Sequence, residues 1–378
     1  MLLWTRYFCY LVVVVHLLVM KVSVACKSVW ADIGGISAGE ICLNSSSRKW
    51  ICTELGCNDT TSVHGLAYKE GKYLLKFVHG QIDSGKCEQV HGVAVILHEL
   101  DNIAHEMRDA LFISKALIKH NVSLILGKET FSSKRQYRDH HLKTRLHYEG
   151  VIRAIVSGSL QRIPPKVILN ENDIRKYFYS RDCMCLHNAV QKYSVGITYG
   201  KAEGTTARAI SLYRESVLKE CSITPEVKHI LLITRKVGVS SRAWKSSVLH
   251  RLKNLITQHF DLPIVEFNPG TADLCVQVEA FAHAHVVFGH HGAEIGGNSI
   301  FVHPKAVIIE VTSMYPRDAG MGNPYFSTTR VIRCKAAYSV SSPHCLHSYF
   351  HDRSCLLRVN ESLVNSALSQ AARLKGLE

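Results

Sequence analysis

The stretch Val286-Val287-Phe288-Gly289-His290-His291-Gly292-Ala293-Glu294-Ile295-Gly296-Gly297-Asn298 concentrates residue types that handle anions. An apolar run of strand character enters a glycine-rich turn, and a short helix is expected to follow. In that arrangement small residues let the backbone approach a ligand, free N–H groups point outward, and an imidazole can donate to a phosphate oxygen. A simple tight connection uses the same residues, so the pattern alone leaves both readings open. Upstream, Arg235 closes another apolar run and Arg242 follows it. Either guanidinium can neutralise a diphosphate through charge-assisted hydrogen bonds or pair with a structural carboxylate. Glu310, in the apolar run after the histidines, can bind a ribose hydroxyl or merely cap its strand.

A second constellation is Asn102, His105 and Asp109. The last two are four residues apart in a helical pattern and so share one helix face, where a carboxylate can orient an imidazole or only form a surface ion pair. His283, His285 and His290 invite a zinc reading, but no carboxylate or cysteine completes a set. The chain also has no Asp-x-Asp triplet. Neither a metal nor any other cofactor is expected.

Positioning these residues requires alternating strands and helices. Short apolar runs at Tyr73 to Val78, Val93 to Leu97 and Val122 to Leu126 alternate with a helical pattern from Ile103 to Lys119. A second series starts at Val227 to Thr234. It continues through a helix at Ser240 to His259, a strand at Ile264 to Phe267, a helix at Ala272 to His283, and strands at Val286 to Gly289 and Ala306 to Val311. This is the layout of an α/β protein with two Rossmann-like domains. The glycine-bearing segment 170–225 is read as holding the connection between them. The division expected is 1–25 signal segment, 26–65 irregular stem or flap, 66–215 first domain, 216–357 second domain and 358–378 an amphipathic terminal helix.

The chain has 378 residues, of which 47% are hydrophobic and 20% charged, a globular composition long enough for two domains. Its formal charge of +14 is scattered rather than gathered in one arm, which argues against nucleic acid and suits anionic sugar nucleotides. Arg6 precedes an apolar run from Tyr7 to Met20, and Ser23-Val24-Ala25 offers small residues for cleavage. The segment reads as a cleaved secretory signal or as a retained anchor reaching Cys26. Setting aside Cys9, an even number of cysteines remains from 13, suited to disulfides in an oxidising lumen. Cys52 with Cys57, and Cys183 with Cys185, lack metal-ligand spacing and are read as disulfide partners. Asn44, Asn58, Asn121 and Asn360 each open an N-x-[ST] sequon.

Taken together, the strand before His291-Gly292-Ala293, then Phe301, Pro304 and the strand Val307-Ile308-Ile309-Glu310-Val311 resemble the signature of glycosyltransferase family 61. Its members include protein O-GlcNAc and O-mannose-linked GlcNAc transferases and plant xylosyl and arabinosyl transferases. Arg235 and Arg242 fill the family's paired arginine positions ahead of a helix, and Asn102, His105 and Asp109 match its Asn-x-x-His element with a following acid. Glu294 departs from the family, which often has glycine there.

The resemblance implies a GT-B fold, with a nucleotide-sugar domain at the C-terminal side of a cleft and an acceptor domain at the N-terminal side. It also implies inverting, metal-independent transfer. Arg235, Arg242, His291, Gly292, Ala293 and Glu310 would bind a UDP-sugar, with GlcNAc or a pentose leading. His105 or Asp109 would serve as base and Asn102 would line the cleft. The acceptor would be a glycan or glycoprotein in the endoplasmic reticulum or Golgi, with membrane contact only through an uncleaved N-terminal segment. The competing expectation is a secreted carbohydrate-binding protein of the same fold without turnover.

Overall fold

A computed structural model describes residues 35–44, 49–52, 77–79, 86–97, 103–127, 139–177, 183–192, 205–235, 243–313, 330–338 and 356–376. In chain order the elements are β1 (Gly35–Asn44), β2 (Lys49–Cys52), β3 (Phe77–His79), β4 (Glu88–Leu97), α1 (Ile103–Lys119), β5 (Val122–Gly127), α2 (Asp139–Ser157), β6 (Lys166–Ile168), α3 (Glu171–Tyr177) and β7 (Cys183–Lys192). There follow α4 (Thr205–Glu220), β8 (His229–Ile233), β9 (Ala243–Trp244), α5 (Ser246–Thr257), β10 (Ile264–Phe267), α6 (Leu274–Ala282), β11 (Ala284–His290), α7 (Ala293–Asn298), β12 (Val307–Ser313), β13 (Arg330–Tyr338), β14 (Leu356–Val359) and α8 (Glu361–Gly376). The protein is α/β, as its alternating pattern predicts.

The chain forms two compact units. One holds the sheet β1–β7, α3 and the end of α1 from Lys115; the other holds α1 up to Ser114, α2 and everything from α4 onward. This partition differs from the expected break near residue 215, because α2 and most of α1 group with the second sheet.

The first sheet has the order β3-β2-β1-β7-β4-β5-β6. Its parallel part, β6-β5-β4-β7, carries the order 3-2-1-4 of half a Rossmann sheet. One face buries Ile41, Leu43, Val90, Ala94, Ile96, Leu124, Leu126, Met184 and Leu186. The alternate positions of β1 and β7 carry Cys42, Cys183 and Cys185, which cluster with Cys87. Disulfides join Cys42 to Cys185 and Cys87 to Cys183. Residues 26–65, expected as a stem, therefore supply two sheet strands: β1 pairs antiparallel with β2 on one side and β7 on the other. Likewise, segment 170–225 carries β7, a central strand, and α4 instead of serving only as a connection.

The second sheet has the order β10-β8-β11-β12-β13-β14-β9. Strands β10, β8, β11, β12 and β13 are mutually parallel and follow the doubly wound order 2-1-3-4-5. Both faces must then be covered, which explains the near-continuous apolar character of β8, β11 and β12. Ile230, Leu232, Val286, Phe288, Val307, Ile309 and Val311 face one way, against Val248, Leu252 and Ile256 of α5 and Val364, Leu368 and Ala371 of α8. A third disulfide, Cys221–Cys275, joins the chain just after α4 to α6.

Candidate functional site

In a 2-1-3-4-5 sheet the chain leaves the first strand for one side and later returns on the other, so a crevice opens at the carboxyl ends of the first and third strands. Here those strands are β8 and β11, with carboxyl ends at Ile233-Thr234-Arg235 and Gly289-His290-His291. Strand alternation separates the residues of β11. His290 lies on the α5/α8 side, its ring edge-on to Trp244 with centroids 6.1 Å apart. Gly289 and His291 take the other side.

His291 continues the ladder one step past β11, its backbone N–H donating to Val311 O at 2.9 Å. Its ring Nδ1 is hydrogen-bonded to Glu310 Oε1. Glu310 sits opposite Gly289 in the parallel register, two positions before His291 and so on the same face of the sheet. Its side chain is only 2% exposed, and Arg333 Nε lies 3.4 Å from Oε2. A carboxylate this buried requires partners, and His291 and Arg333 provide them from either side. With Nδ1–H committed to Glu310, the imidazole presents Nε2, and its side chain keeps 17% exposure. For Glu310 the sequence left a ribose-hydroxyl partner and a strand cap both open; in the structure its carboxylate is hydrogen-bonded to the His291 ring. Arg333 was not singled out, because it meets Glu310 only through the register that pairs the two residues across β12 and β13.

Gly289 has a packing reason. A Cβ there would stand 2.8 Å from Ile233 Cβ and 2.9 Å from Ile295 Cδ1, so only glycine lets these side chains close over the strand ends. The turn after His291 is tied down by polar groups. Asn298 Nδ2 donates to Gln277 Oε1 at 3.0 Å, and Gln277 Nε2 donates to Ala272 O at 2.9 Å, both amides being buried. Arg214 of α4 donates through Nε to Ile300 O at 3.0 Å and through a terminal nitrogen to Val302 O at 3.2 Å. Burial pushes its pKa down from the ordinary arginine value, with Glu215 opposing the shift.

Arg235 follows β8 and is half-buried. Arg242 and Asn102 lie outside the described residues, as do the side chains of His105, Ala293 and Glu294; Gly292 is partly exposed, immediately before α7. Asp109 is wholly buried within α1 and accepts the Tyr148 hydroxyl of α2 at 3.1 Å. His283 Nε2–H donates to Thr224 O at 3.2 Å. Among the described residues no group of three or more His, Cys, Asp or Glu is placed to hold a metal ion. Cys183 and Cys185 belong to separate disulfides. Of the sequons, Asn121 is exposed, Asn360 accepts the Leu363 N–H at the start of α8, Asn44 lies in β1 and Asn58 is outside the described residues.

The three disulfides fit an oxidising luminal or extracellular compartment. Among the described residues no helix is long and apolar enough to cross a membrane. No protein-family model matches the chain, and no curated protein matches it.

Proposed function

We propose that the protein is a glycosyltransferase that moves a sugar from a UDP-sugar to a glycan or glycoprotein acceptor in the secretory pathway. The observation that carries this reading is the placement of Arg235 and His291 just past the carboxyl ends of β8 and β11, the strands flanking the point where strand order reverses. A parallel sheet of this order uses that point for nucleotides, and Arg235 there supplies a positive charge beside the imidazole of His291. The disulfides agree with a luminal enzyme, and the resemblance to glycosyltransferase family 61 supplies the reaction class. The reading takes the two α/β units as the paired domains of a GT-B enzyme of the endoplasmic reticulum or Golgi, held by its N-terminal segment where that is retained.

In the proposed reaction the acceptor hydroxyl oxygen attacks the anomeric carbon from the face opposite the diphosphate. The bond from that carbon to the phosphate oxygen breaks, the nucleoside diphosphate leaves with the electron pair, and configuration inverts. His105 takes the hydroxyl proton, with Asp109 behind it on the same helix. Arg235, Arg242 and the Nε2 side of His291, with backbone N–H groups from Gly292 onward, meet the charge that develops on the leaving group. Cationic side chains in this role make transfer independent of a divalent ion.

A melting-temperature screen of the secreted chain against UDP, GDP, CMP and their sugars, with and without EDTA, tests the proposal. One UDP-sugar should stabilise the fold in EDTA, and Arg235→Ala or His291→Ala should reduce the shift while leaving the circular dichroism spectrum unchanged. Stabilisation by free glycans but by no nucleotide would transfer the protein to the non-catalytic carbohydrate-binding class.

A further inference from the structure

The strongest unexplained surface feature lies in the first unit, outside the residues assigned to the proposed nucleotide site. Leu160 is 102% exposed and Ile163 is 76% exposed, in the connection between α2 and β6. Two such side chains within four residues are costly to leave in water, at roughly 1.5–3 kcal/mol each if they could be buried. The loop is nevertheless held in place. Between them Gln161 turns inward, and its Nε2 donates to His120 O at 2.6 Å and Leu117 O at 3.3 Å, satisfying carbonyls at the end of α1. The apolar pair is thereby fixed beside residue 120, and the next residue is Asn121.

Asn121 opens the sequon Asn121-Val122-Ser123. Its side chain is exposed at the mouth of β5, where its backbone carbonyl accepts the Val93 N–H at 3.4 Å. Ser123 is anchored by donating to His91 O at 2.9 Å. Asn44, by contrast, lies in a strand paired on both sides, with Lys49 and Cys183 opposite it, and Asn360 accepts a backbone N–H at the start of α8.

We propose that Asn121 carries an N-linked glycan whose first sugars lie over Leu160 and Ile163. The apolar faces of pyranose rings suit aliphatic side chains, and the covalent link sets the local concentration of the sugar next to the loop. In forming the link, Asn121 Nδ2 attacks the anomeric carbon of a lipid-pyrophosphate-linked oligosaccharide. A C–N bond forms, the C–O bond to the pyrophosphate breaks with the electron pair leaving on oxygen, and one amide proton passes to a base of the transferring enzyme. The disulfides agree with passage through the compartment where that donor is used.

The test uses the full chain secreted from a eukaryotic host. Release of N-glycans by peptide amidase in heavy-oxygen water should convert Asn121 to labelled aspartate in the peptide mass spectrum; recovery of that peptide as unmodified asparagine overturns the site. Covering is read separately with an environment-sensitive apolar dye. Asn121→Gln should raise dye fluorescence several-fold over the wild-type chain, and adding Leu160→Ser with Ile163→Ser should return it to the wild-type level. Equal fluorescence of wild-type and Asn121→Gln protein, or failure of the serines to reverse the rise, would overturn the covering. A null result in the nucleotide screen would leave both readouts untouched.

Discussion

His291, one residue past β11, and Glu310 on the neighbouring parallel strand β12 lie two register positions apart, with the imidazole Nδ1 hydrogen-bonded to a carboxylate that is 2% exposed. This arrangement sets the ring plane, selects the tautomer and leaves Nε2 for a ligand. Arg333 takes the second carboxylate oxygen from β13, so three adjacent strands contribute to holding one imidazole.

Replacing Glu310 by glutamine keeps the shape and removes the charge. Hydrogen bonds to charged groups contribute about 1.5–3 kcal/mol, so nucleotide affinity should fall roughly tenfold to a hundredfold. In the His291→Ala background the same change should have little further effect on binding, because the two residues act as a unit. Arg333→Gln should weaken binding less, since that side chain is 48% exposed and its ion pair is screened by solvent. Calorimetric titration of the four variants checks the order; additive losses from Glu310 and His291 would refute the coupling.

Gly289→Ala tests the packing that closes the strand ends. The new methyl would meet Ile233 Cβ at 2.8 Å and Ile295 Cδ1 at 2.9 Å, and the strand is hydrogen-bonded on both sides, so it cannot retreat. Overpacking of this kind costs about 1–3 kcal/mol. Chemical denaturation should show that loss, and the double variant with Ile233→Val should recover only part of it, because Ile233 Cβ remains.

These two cases mark what could be read from the sequence. Helix α1 matches the periodic pattern from Ile103 to Lys119, and β10 matches its apolar run, because local hydrophobic pattern decides such elements. Strands β1, β2 and β7 were missed. Their residues alternate cysteine with apolar side chains or carry glycine and polar groups, and they become strands through pairing across long sequence distances. The strand and turn around His291 were legible from residue types. The partnership of Glu310 with Arg333 was not, since it exists only in the β12–β13 register, and the burial of Asp109 depends on Tyr148, 39 positions away.

Acid should loosen the second unit through His229. Its pKa lies below the ordinary histidine value of 6.5, chiefly because burial disfavours the cation; His283 and Lys228 push the same way, while Ala280 O and Glu279 oppose them. Nε2 is bonded to Ala280 O at 2.9 Å. A depressed folded-state pKa means that the unfolded chain binds the proton first as pH falls below 6.5. The contribution is therefore complete above that pH and is lost on descending through the folded-state value. His229→Gln, which can still donate to Ala280 O, should show a smaller drop in melting temperature between pH 7.5 and pH 5 than the wild-type chain. Equal drops would remove His229 as the cause.

The two disulfides of the first sheet close loops of 143 and 96 residues by sequence separation, so each restricts the unfolded chain strongly. Replacing both Cys87 and Cys183 by alanine should cost about 2–5 kcal/mol and should lower the denaturation midpoint of the first unit. Cys334 provides an internal control: it is a free, buried thiol on β13 whose pKa is raised to about 11 by burial. In the native chain at neutral pH it should resist alkylation, because the thiolate is the reactive form and is scarce. If the first unit unfolds independently in the Cys87→Ala, Cys183→Ala variant, Cys334 should stay protected while amides of β4 and β7 exchange with solvent. Simultaneous alkylation of Cys334 would show instead that the two sheets unfold as one cooperative body.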